Sequence, residues 1–358
     1  MNSRRCFLPS LLLILVAAVA GRAQDIDDYL KSQLQARHIP AISVAVLKNG
    51  AVIKAEAYGL ADMEHGIAAR PDTVFKIGSV SKQFLAAGIM ILVQDGKIAI
   101  DDKVGKYIEG IPPAWEAITL RHLLTHTAGL TREGPGFDPF RVQPDIDVIK
   151  TAYPVPLLFK PGEKHEYSNL GYFMLGEVIH RVSGKPWGDF LTERVFAPLG
   201  MTSTRVTTAT AIVPNRADGY AWMENKYQNA ANWPAVRPSG AFLSTTLDLA
   251  KWEAALLTDR ILTSASKKQM WTGVTLNDGS KVPYGFGWFL NDWPADSRVP
   301  TGVPMIRHGG SMPGFRAGFA RWPSHGLAVI VLTNGEGADV DALAANIAIR
   351  IVPELKTR

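Results

Sequence analysis

Two apolar runs joined by an Asn-Gly pair constrain the fold of this chain more than any other feature. Residues 41–47 and 51–58 are strand-like, and Asn49 and Gly50 lie between them. Asn-Gly between two such runs is the strongest short-range signal for a hairpin, because both residues tolerate the positive φ of a type I′ turn. The N-terminal part of the chain is therefore predicted to start an antiparallel β-sheet.

The remaining elements predict how that sheet is completed. Strand patterns return only late in the chain, at 284–291, 314–322 and 327–333, and an apolar helix follows at 339–352. Helical patterns fill the intervening part and the start, at 25–37, 80–94, 121–125, 170–182 and 189–196. This order predicts an α+β fold. One antiparallel sheet is built from N- and C-terminal strands and flanked by helices, with a mainly helical region inserted at about 80–240.

The first 23 residues have the pattern of an export signal. Arg4 and Arg5 form a basic start, 7–20 is an apolar run, and small residues follow at 21–23. The run is shorter than the roughly 20 residues that span a membrane, which favours a cleaved signal peptide at 1–23 over a stable anchor. We expect a single mature domain at 24–358, periplasmic or secreted. The arginine pair also resembles a twin-arginine signal, with an ordinary signal as the alternative.

The bulk composition is that of a globular chain with a large core, 47% hydrophobic and 20% charged. Loss of the signal would remove three arginines and no acid, so the formal charge would fall from +5 to +2. A charge that small gives no support for a nucleic-acid partner. Cys6 is the one cysteine of the sequence. We therefore expect no disulfide, thiolate nucleophile or cysteine-bound metal in the mature chain.

The segment Ser-Val-Ser-Lys at 79–82 places a hydroxyl and an amine three residues apart. On a helix this spacing puts Ser79 and Lys82 on one face. A serine is a poor nucleophile until a neighbour takes its proton, and a lysine in a dry site can do so. A capping serine and a solvated lysine are the alternative. A second copy, Ser-Ala-Ser-Lys at 264–267, is predicted to begin a helix with its lysine in water.

Two further segments carry groups suited to the same chemistry. Tyr167 and Asn169 precede a predicted helix. A phenol can shuttle a proton, and an amide can hold both a substrate carbonyl and an amine. The segment His-Gly-Gly-Ser at 308–311 precedes a strand, and paired glycines let a substrate lie against a strand edge. The Ser311 N–H can then supply an oxyanion donor beside that of Ser79. Taken singly, these are equally a loop tyrosine and a glycine turn.

In this order the three segments resemble those of the serine β-lactamase and penicillin-binding-protein superfamily. The Tyr-x-Asn form resembles its class C branch, which also holds D,D-carboxypeptidases, D-amino-acid peptidases and amidases, and esterases. The resemblance spans about 25–350. It extends beyond the predicted site to segments at 74–78, 121–130, 198–201 and 284–288.

The resemblance implies an acyl-enzyme mechanism that needs no metal and no cofactor. Ser79 would attack a carbonyl, and Lys82 and Tyr167 would share the proton transfers. The predicted catalytic residues are Ser79, Lys82 and Tyr167. The predicted substrate and oxyanion contacts are Asn169, His308, Gly309, Gly310 and Ser311.

The third segment departs from that of β-lactamases, which usually carry Lys-Thr-Gly or Lys-Ser-Gly there. A neutral His308 would bind a carboxylate more weakly than a lysine. This favours an exported hydrolase of small esters, amides or peptides, of the esterase or D-amino-acid peptidase type. A β-lactamase, a D,D-carboxypeptidase and an inactive penicillin-sensing module stay as alternatives. The sequence predicts no oligomeric state.

Other polar and aromatic residues are weaker candidates. His122 and His126 have the spacing of a helical zinc pair, but Leu123 stands where that motif needs glutamate, so we expect structural histidines. Loops at 131–160 and 205–238 are predicted to form the pocket rim. Trp233 and Trp288 are candidates for its wall, with the core as the alternative.

Overall fold

The computed structural model of the chain describes residues 24–208, 210–235, 237–290 and 303–356. The strands are β1 Ala41–Lys48, β2 Ala51–Asp62, β3 Ile67–Ala68, β4 Phe75–Lys76, β5 Arg205–Val206, β6 Tyr220–Met223, β7 Lys226–Asn229, β8 Phe242–Ser244, β9 Val274–Thr275, β10 Lys281–Val282, β11 Phe289–Leu290, β12 Ile306–Met312, β13 Phe315–Trp322 and β14 Leu327–Thr333. The described helices are α1 24–36, α2 Lys82–Gln94, α3 Leu120–Leu124, α4 Asp145–Thr151, α5 Asn169–Ser183, α6 Trp187–Leu191, α7 Ala197–Leu199, α8 Thr246–Leu256, α9 Ser264–Met270 and α10 Val340–Ile351.

The main sheet joins the two ends of the chain. Its seven strands run in the order β11-β12-β13-β14-β1-β2-β3, and every neighbouring pair is antiparallel. The C-terminal strand β14 pairs with β1 along almost its whole length, from Ile42 opposite Thr333 to Lys48 opposite Leu327. The predicted α+β fold, with one sheet built from both termini, is therefore confirmed.

The hairpin at the start of the sheet has the predicted turn. Asn49 and Gly50 connect β1 to β2 with φ values of 50° and 79°. Both lie in the left-handed region that a type I′ turn requires, which is why Asn-Gly is favoured there. This pair of residues thus fixes the register in which the first two strands begin.

Helices cover both faces of the sheet. Every residue of β14 is buried, and successive side chains point to opposite faces. Val329 and Val331 join the layer that packs under α1 and α10, whereas Ile330 and Leu332 join the larger core on the side of the helical region. The continuous apolar run of this strand follows from burial on both sides.

Helix α2 lies inside the larger core. All residues from Lys82 to Leu92 are buried. Phe84 packs edge-to-face on Phe196 and Phe242, with ring centroids 5.1 and 5.7 Å apart. Such a helix is anchored by packing around its whole circumference, so the turn before it is held in place as well.

Several predicted boundaries move. The first turn of the 80–94 helix is a tighter 3₁₀ turn at Gly78–Ser81, and α2 proper begins at Lys82. Of the strand predicted at 284–291, only Phe289–Leu290 is a strand within the described residues, because Gly287 has a φ of 75° and turns the chain. Helices α8 and α9 also follow residue 240, and short strands occur before it.

The predicted signal peptide at 1–23 lies outside the described residues. Within the described ranges, no helix is both long enough and apolar enough to cross a membrane.

Candidate active site

Ser79 lies in the tight turn Gly78–Ser81, directly before α2. It is half-buried and lines a cavity of about 400 Å³. Lys82 is the first residue of α2, one turn further along. The turn therefore brings the Ser79 hydroxyl and the Lys82 amine together at the N-terminus of a buried helix.

Lys82 is fully buried, and its Nζ has three oxygen partners. The Nζ lies 3.2 Å from Ser79 Oγ, 2.8 Å from Asn169 Oδ1 and 2.9 Å from the carbonyl oxygen of Ser239. Burial holds the pKa of the Lys82 amine well below its usual range, and the charge of Arg132 lowers it further. A carboxylate, Glu133, acts in the opposite direction.

These partners fix the orientation of a neutral amine. The Asn169 Oδ1 and the Ser239 carbonyl can only accept hydrogen bonds, so they take the two N–H groups of an uncharged Lys82. The remaining lone pair then points to the third partner, Ser79 Oγ, 3.2 Å away. The arrangement suits proton transfer from Ser79 to Lys82.

Tyr167 covers the other side of the amine. The Lys82 Nζ lies 4.7 Å from the centroid of the Tyr167 ring, and the Arg132 guanidinium lies 5.3 Å from it. Burial raises the pKa of the Tyr167 phenol above its usual value, while the neighbouring Ser79 side chain acts to lower it. The phenol is thus placed to exchange a proton with the same hydroxyl that Lys82 reaches.

Asn169 begins α5 and links Lys82 to an acidic residue. Its Oδ1 accepts from Lys82, and its Nδ2 donates to Glu133 Oε1 at 2.6 Å. A carboxylate accepts only, so this second bond fixes which end of the amide faces the lysine. The backbone N–H of Asn169 donates to the carbonyl of Arg132 at 2.8 Å, which holds the loop against the helix.

Strand β12 runs close beside the Ser79 turn. A Cβ at Gly310 would lie 1.9 Å from the Ile77 carbonyl oxygen and 3.1 Å from the Ser79 nitrogen. No side chain fits in that space, which explains the glycine. A Cβ at Gly78 would lie 2.8 Å from the Ser311 nitrogen. The backbone of Gly310 and Ser311 therefore lies alongside the nucleophile candidate, as an oxyanion hole would require.

His308, which the sequence predicts as a substrate contact, is buried. Its ring is 2% exposed and, like Lys82 and Tyr167, lies behind the residues that line the cavity. Its Nδ1 donates to the Gly309 carbonyl at 2.7 Å, and its Nε2 lies 3.0 Å from Tyr284 Oη. Burial is the main reason that the pKa of His308 falls to about 3. Side chains alternate along β12, so His308 shares a face with Gly310 and Met312, and its ring centroid lies 6.3 Å from that of Tyr167.

The cavity walls come from the two predicted rim loops and from β12 and β13. Trp233 lines the cavity, whereas Trp288 is fully buried in the core. The charged residues at its surface are Arg132, Glu133, Arg237, Arg316 and Glu336, and its aromatic lining is Phe137, Phe173 and Trp233.

The family profile described as Beta-lactamase matches residues 26–354. The chain belongs to the beta-lactamase family. Among curated proteins, it is 30% identical over 317 residues to Penicillin-binding protein 4* of Bacillus subtilis (strain 168), covering 82% of this chain and 68% of that protein. It is 26% identical over 346 residues to Protein flp of Staphylococcus aureus (strain MW2), covering 92% and 66%. The chain thus spans about two thirds of the length of these curated relatives.

Solved structures of the superfamily share the fold. The octameric penicillin-binding protein homologue from Pyrococcus abyssi aligns with a TM-score of 0.81 at 24% identity, covering 93% of this chain and 78% of that chain. D-amino acid amidase from Ochrobactrum anthropi SV3 aligns with a TM-score of 0.76 at 24% identity, covering 91% and 96%. The family match confirms the predicted β-lactamase/transpeptidase-like superfamily, one of serine hydrolases, and these structures share its fold.

For this member of the beta-lactamase family, the sequence motifs missed Arg132 and Glu133. Both lie in the loop after α3, and both act on the electrostatics of Lys82. The one sequence signal for these two residues was that a charged pair lies in a loop predicted to form the pocket rim. The direction of their side chains depends on the path of that loop, which residue spacing does not encode.

The histidines with zinc-like spacing are engaged elsewhere in this family member. His122 Nδ1 accepts from the backbone N–H of Thr119 at 3.2 Å. His126 Nδ1 accepts from the backbone N–H of Ser168 at 3.1 Å, and its Nε2 lies 3.1 Å from Tyr284 Oη. Among the described residues, no cluster of three His, Cys, Asp or Glu residues that could hold a metal is found.

Proposed function

We propose that this chain is an exported serine hydrolase that cleaves ester or amide bonds through an acyl-enzyme on Ser79. One observation carries the proposal. Lys82 is buried, two of its three partners are obligate acceptors, and the third is Ser79 Oγ at 3.2 Å. A neutral amine in that position is a general base for the hydroxyl.

The steps follow from the positions of the groups. Lys82 takes the proton of Ser79 as its oxygen attacks the substrate carbonyl, and the N–H groups of Ser79 and Ser311 receive the developing negative charge. Tyr167, whose side chain lies near Ser79, passes a proton to the leaving group and then activates the water that releases the acyl group. Lys82 and Tyr167 act as a coupled pair.

The buried position of His308 supports ester and amide substrates over β-lactams. A substrate carboxylate cannot use this ring, because both of its nitrogens have partners inside the protein. The structural likeness to a D-amino acid amidase agrees with an amide substrate. The likeness to Penicillin-binding protein 4* keeps a β-lactamase or D,D-carboxypeptidase as the second candidate.

A substrate panel tests the proposal. We expect turnover of p-nitrophenyl esters or D-alanyl amides to exceed that of nitrocefin and of a D-Ala-D-Ala peptide, and labelling of Ser79 by a fluorophosphonate probe. Nitrocefin turnover equal to that of the best ester would favour a β-lactamase. Folded protein that resists the probe would indicate a binding module. Turnover that survives Ser79→Ala would refute the mechanism.

A further inference from the structure

Two histidines and a tyrosine form a continuous chain of hydrogen bonds behind the proposed site. The backbone N–H of Ser168 donates to His126 Nδ1 at 3.1 Å, and His126 Nε2 lies 3.1 Å from Tyr284 Oη. Tyr284 Oη lies 3.0 Å from His308 Nε2, and His308 Nδ1 donates to the Gly309 carbonyl at 2.7 Å. The chain thus begins beside Tyr167 and ends on the strand that carries Ser311.

The backbone groups at the two ends determine the direction of every bond. An N–H can only donate, so His126 Nδ1 must accept and its proton lies on Nε2, directed to Tyr284. A carbonyl can only accept, so His308 carries its proton on Nδ1 and its Nε2 accepts from the Tyr284 hydroxyl. The proton positions deduced from the His126 end and from the His308 end agree, so each hydrogen bond has one donor and one acceptor.

This arrangement requires both histidines to be neutral. A second proton on His126 would be on Nδ1 and face the Ser168 N–H, and a second proton on His308 would be on Nε2 and face the hydroxyl proton of Tyr284. Burial keeps the pKa of His126 well below its usual value, with Lys82 and the neighbouring His165 acting in the same direction. His126, Tyr284 and His308 are each at most 2% exposed.

His126 holds the segment that carries Tyr167. Its carbonyl accepts from the Glu166 N–H at 2.9 Å, and its ring accepts from the Ser168 N–H at 3.1 Å. Its ring also lies against that of Tyr167, with centroids 4.2 Å apart. The residue before Tyr167 and the residue after it are therefore both tied to His126.

At the other end, Gly309 and Gly310 lead directly to Ser311 on β12. The Tyr284 hydroxyl lies within hydrogen-bond distance of both histidines, and its ring stands perpendicular to Phe289 with centroids 4.8 Å apart. The hydroxyl of Tyr284 thus joins the wall that carries the proton-transfer tyrosine to the wall that carries the oxyanion strand.

We propose that His126, Tyr284 and His308 form a positioning relay that sets the separation between Tyr167 and the Gly309–Ser311 backbone, and that His308 acts through Tyr284 instead of contacting substrate. The inference rests on the proposed function of that site. It assigns a role to a histidine where β-lactamases usually carry lysine. Small displacements of catalytic groups, of about 1 Å, can cost roughly a hundredfold in rate, so the relay acts on kcat.

Tyr284→Phe is the first test, because it removes one hydroxyl and keeps the ring. We expect kcat on an uncharged ester to fall by about ten- to a hundredfold, with KM changed by less than about threefold. Unfolding temperature and circular dichroism establish that the variant is folded. A folded variant whose kcat stays within about twofold of the parent would overturn the relay.

Two substitutions of His308 separate positioning from substrate binding. Glutamine carries an acceptor and a donor, so His308→Gln can still bond to both Tyr284 and the Gly309 carbonyl, and we expect it to retain most activity. A lysine ammonium only donates, so His308→Lys should lower kcat on uncharged esters as Tyr284→Phe does. If His308→Lys keeps that kcat and lowers KM only for carboxylate-bearing substrates, His308 is a substrate contact and the relay is wrong.

A measurement on the unmodified protein does not depend on activity. Nitrogen-15 NMR of histidine-labelled protein should show His126 protonated on Nε2 and His308 protonated on Nδ1, both neutral at pH 7. The opposite tautomer at either residue would overturn the relay whether or not the variants fold. Absence of Ser79-dependent turnover, with these tautomers intact, would instead refute the proposed function alone.

Discussion

Two segments of this chain carry the same pattern, Ser-x-Ser-Lys, at 79–82 and at 264–267. Each pattern stands at the start of a helix, α2 and α9 respectively. Both lysines are buried, Lys82 fully and Lys267 at 6% exposure. The expectation that Lys267 lies in water was therefore wrong. Burial alone does not distinguish the two segments.

The partners of the two lysines differ. Lys267 Nζ lies 3.0 Å from the Asp259 carboxylate and donates to the Thr258 carbonyl at 2.5 Å. Lys82 Nζ has no carboxylate within ion-pair distance among the described residues, and its partners are a hydroxyl, an amide and a carbonyl. A carboxylate partner holds a proton on a lysine, whereas neutral acceptors in a dry site do not.

The serines differ as well. Ser264 is exposed, its Oγ donates to Asp259 Oδ1 at 2.8 Å, and it does not line the Ser79 cavity. Ser79 lies at the cavity, with Lys82 on one side and the β12 backbone on the other. Identical spacing therefore produces an exposed serine bonded to Asp259 in one place and a candidate nucleophile in the other. The hydrogen-bond acceptors around each segment determine which of these two roles its serine and lysine have.

Serine substitutions test this contrast most directly. We expect Ser79→Ala to lower kcat/KM by at least about a thousandfold, because no other hydroxyl replaces the nucleophile. Ser264→Ala is the matched control and should keep the parent value to within about twofold. Steady-state kinetics on the best substrate of the panel measures both. Equal losses in the two variants would show that the contrast has no functional meaning.

Replacement of Lys82 should lower activity, whereas replacement of Lys267 should lower stability. Lys82→Met removes the proposed base, and we expect kcat to fall by about a hundred- to a thousandfold. Lys267→Met should leave kcat unchanged and lower the free energy of unfolding by about 1 kcal/mol, since the Thr258 carbonyl loses its donor. Kinetics and urea denaturation measure the two effects. A large loss of activity in Lys267→Met would contradict the assignment.

The sequence was sufficient for the sheet because its signals are local. The Asn49-Gly50 turn and the apolar runs around it depend on neighbours only, and the strand at 327–333 agrees with the structure to the residue. The strand predicted at 284–291 failed over its first five residues because an aromatic-rich segment suits both a strand and a buried turn. Gly287, with a φ of 75°, turns the chain there.

The order of the motifs was enough to predict which residues lie together in the site. It was not enough to predict the direction in which an individual side chain points. Ser79, Lys82, Tyr167 and Asn169 lie together as expected. The direction of His308 depends on the phase of β12, which a one-residue shift would reverse, so its burial could not be predicted. Glu133 reaches Asn169 only through the fold of a long loop.

The smallest expected effect concerns Arg132 and Glu133, the two charges that act on Lys82. Unlike Lys267, which pairs with Asp259, Lys82 has no carboxylate partner within ion-pair distance among the described residues. Glu133→Gln removes a negative charge that favours the protonated amine, so the pKa of Lys82 should fall. Arg132→Gln removes a positive charge that disfavours it, so that pKa should rise. If the neutral amine is the base, the acidic limb of the kcat/KM profile must move to lower pH in the first variant and to higher pH in the second.

Both shifts should be modest, about a few tenths of a pH unit, because single charges near the solvent are screened. Glutamine at 133 keeps an oxygen that can accept from Asn169 Nδ2, and the Arg132 carbonyl that holds α5 belongs to the backbone. The geometry of Lys82 is therefore retained while the field changes sign between the variants. Shifts in the same direction would mean that the limb belongs to another group, and that the missing carboxylate is not what distinguishes Lys82 from Lys267.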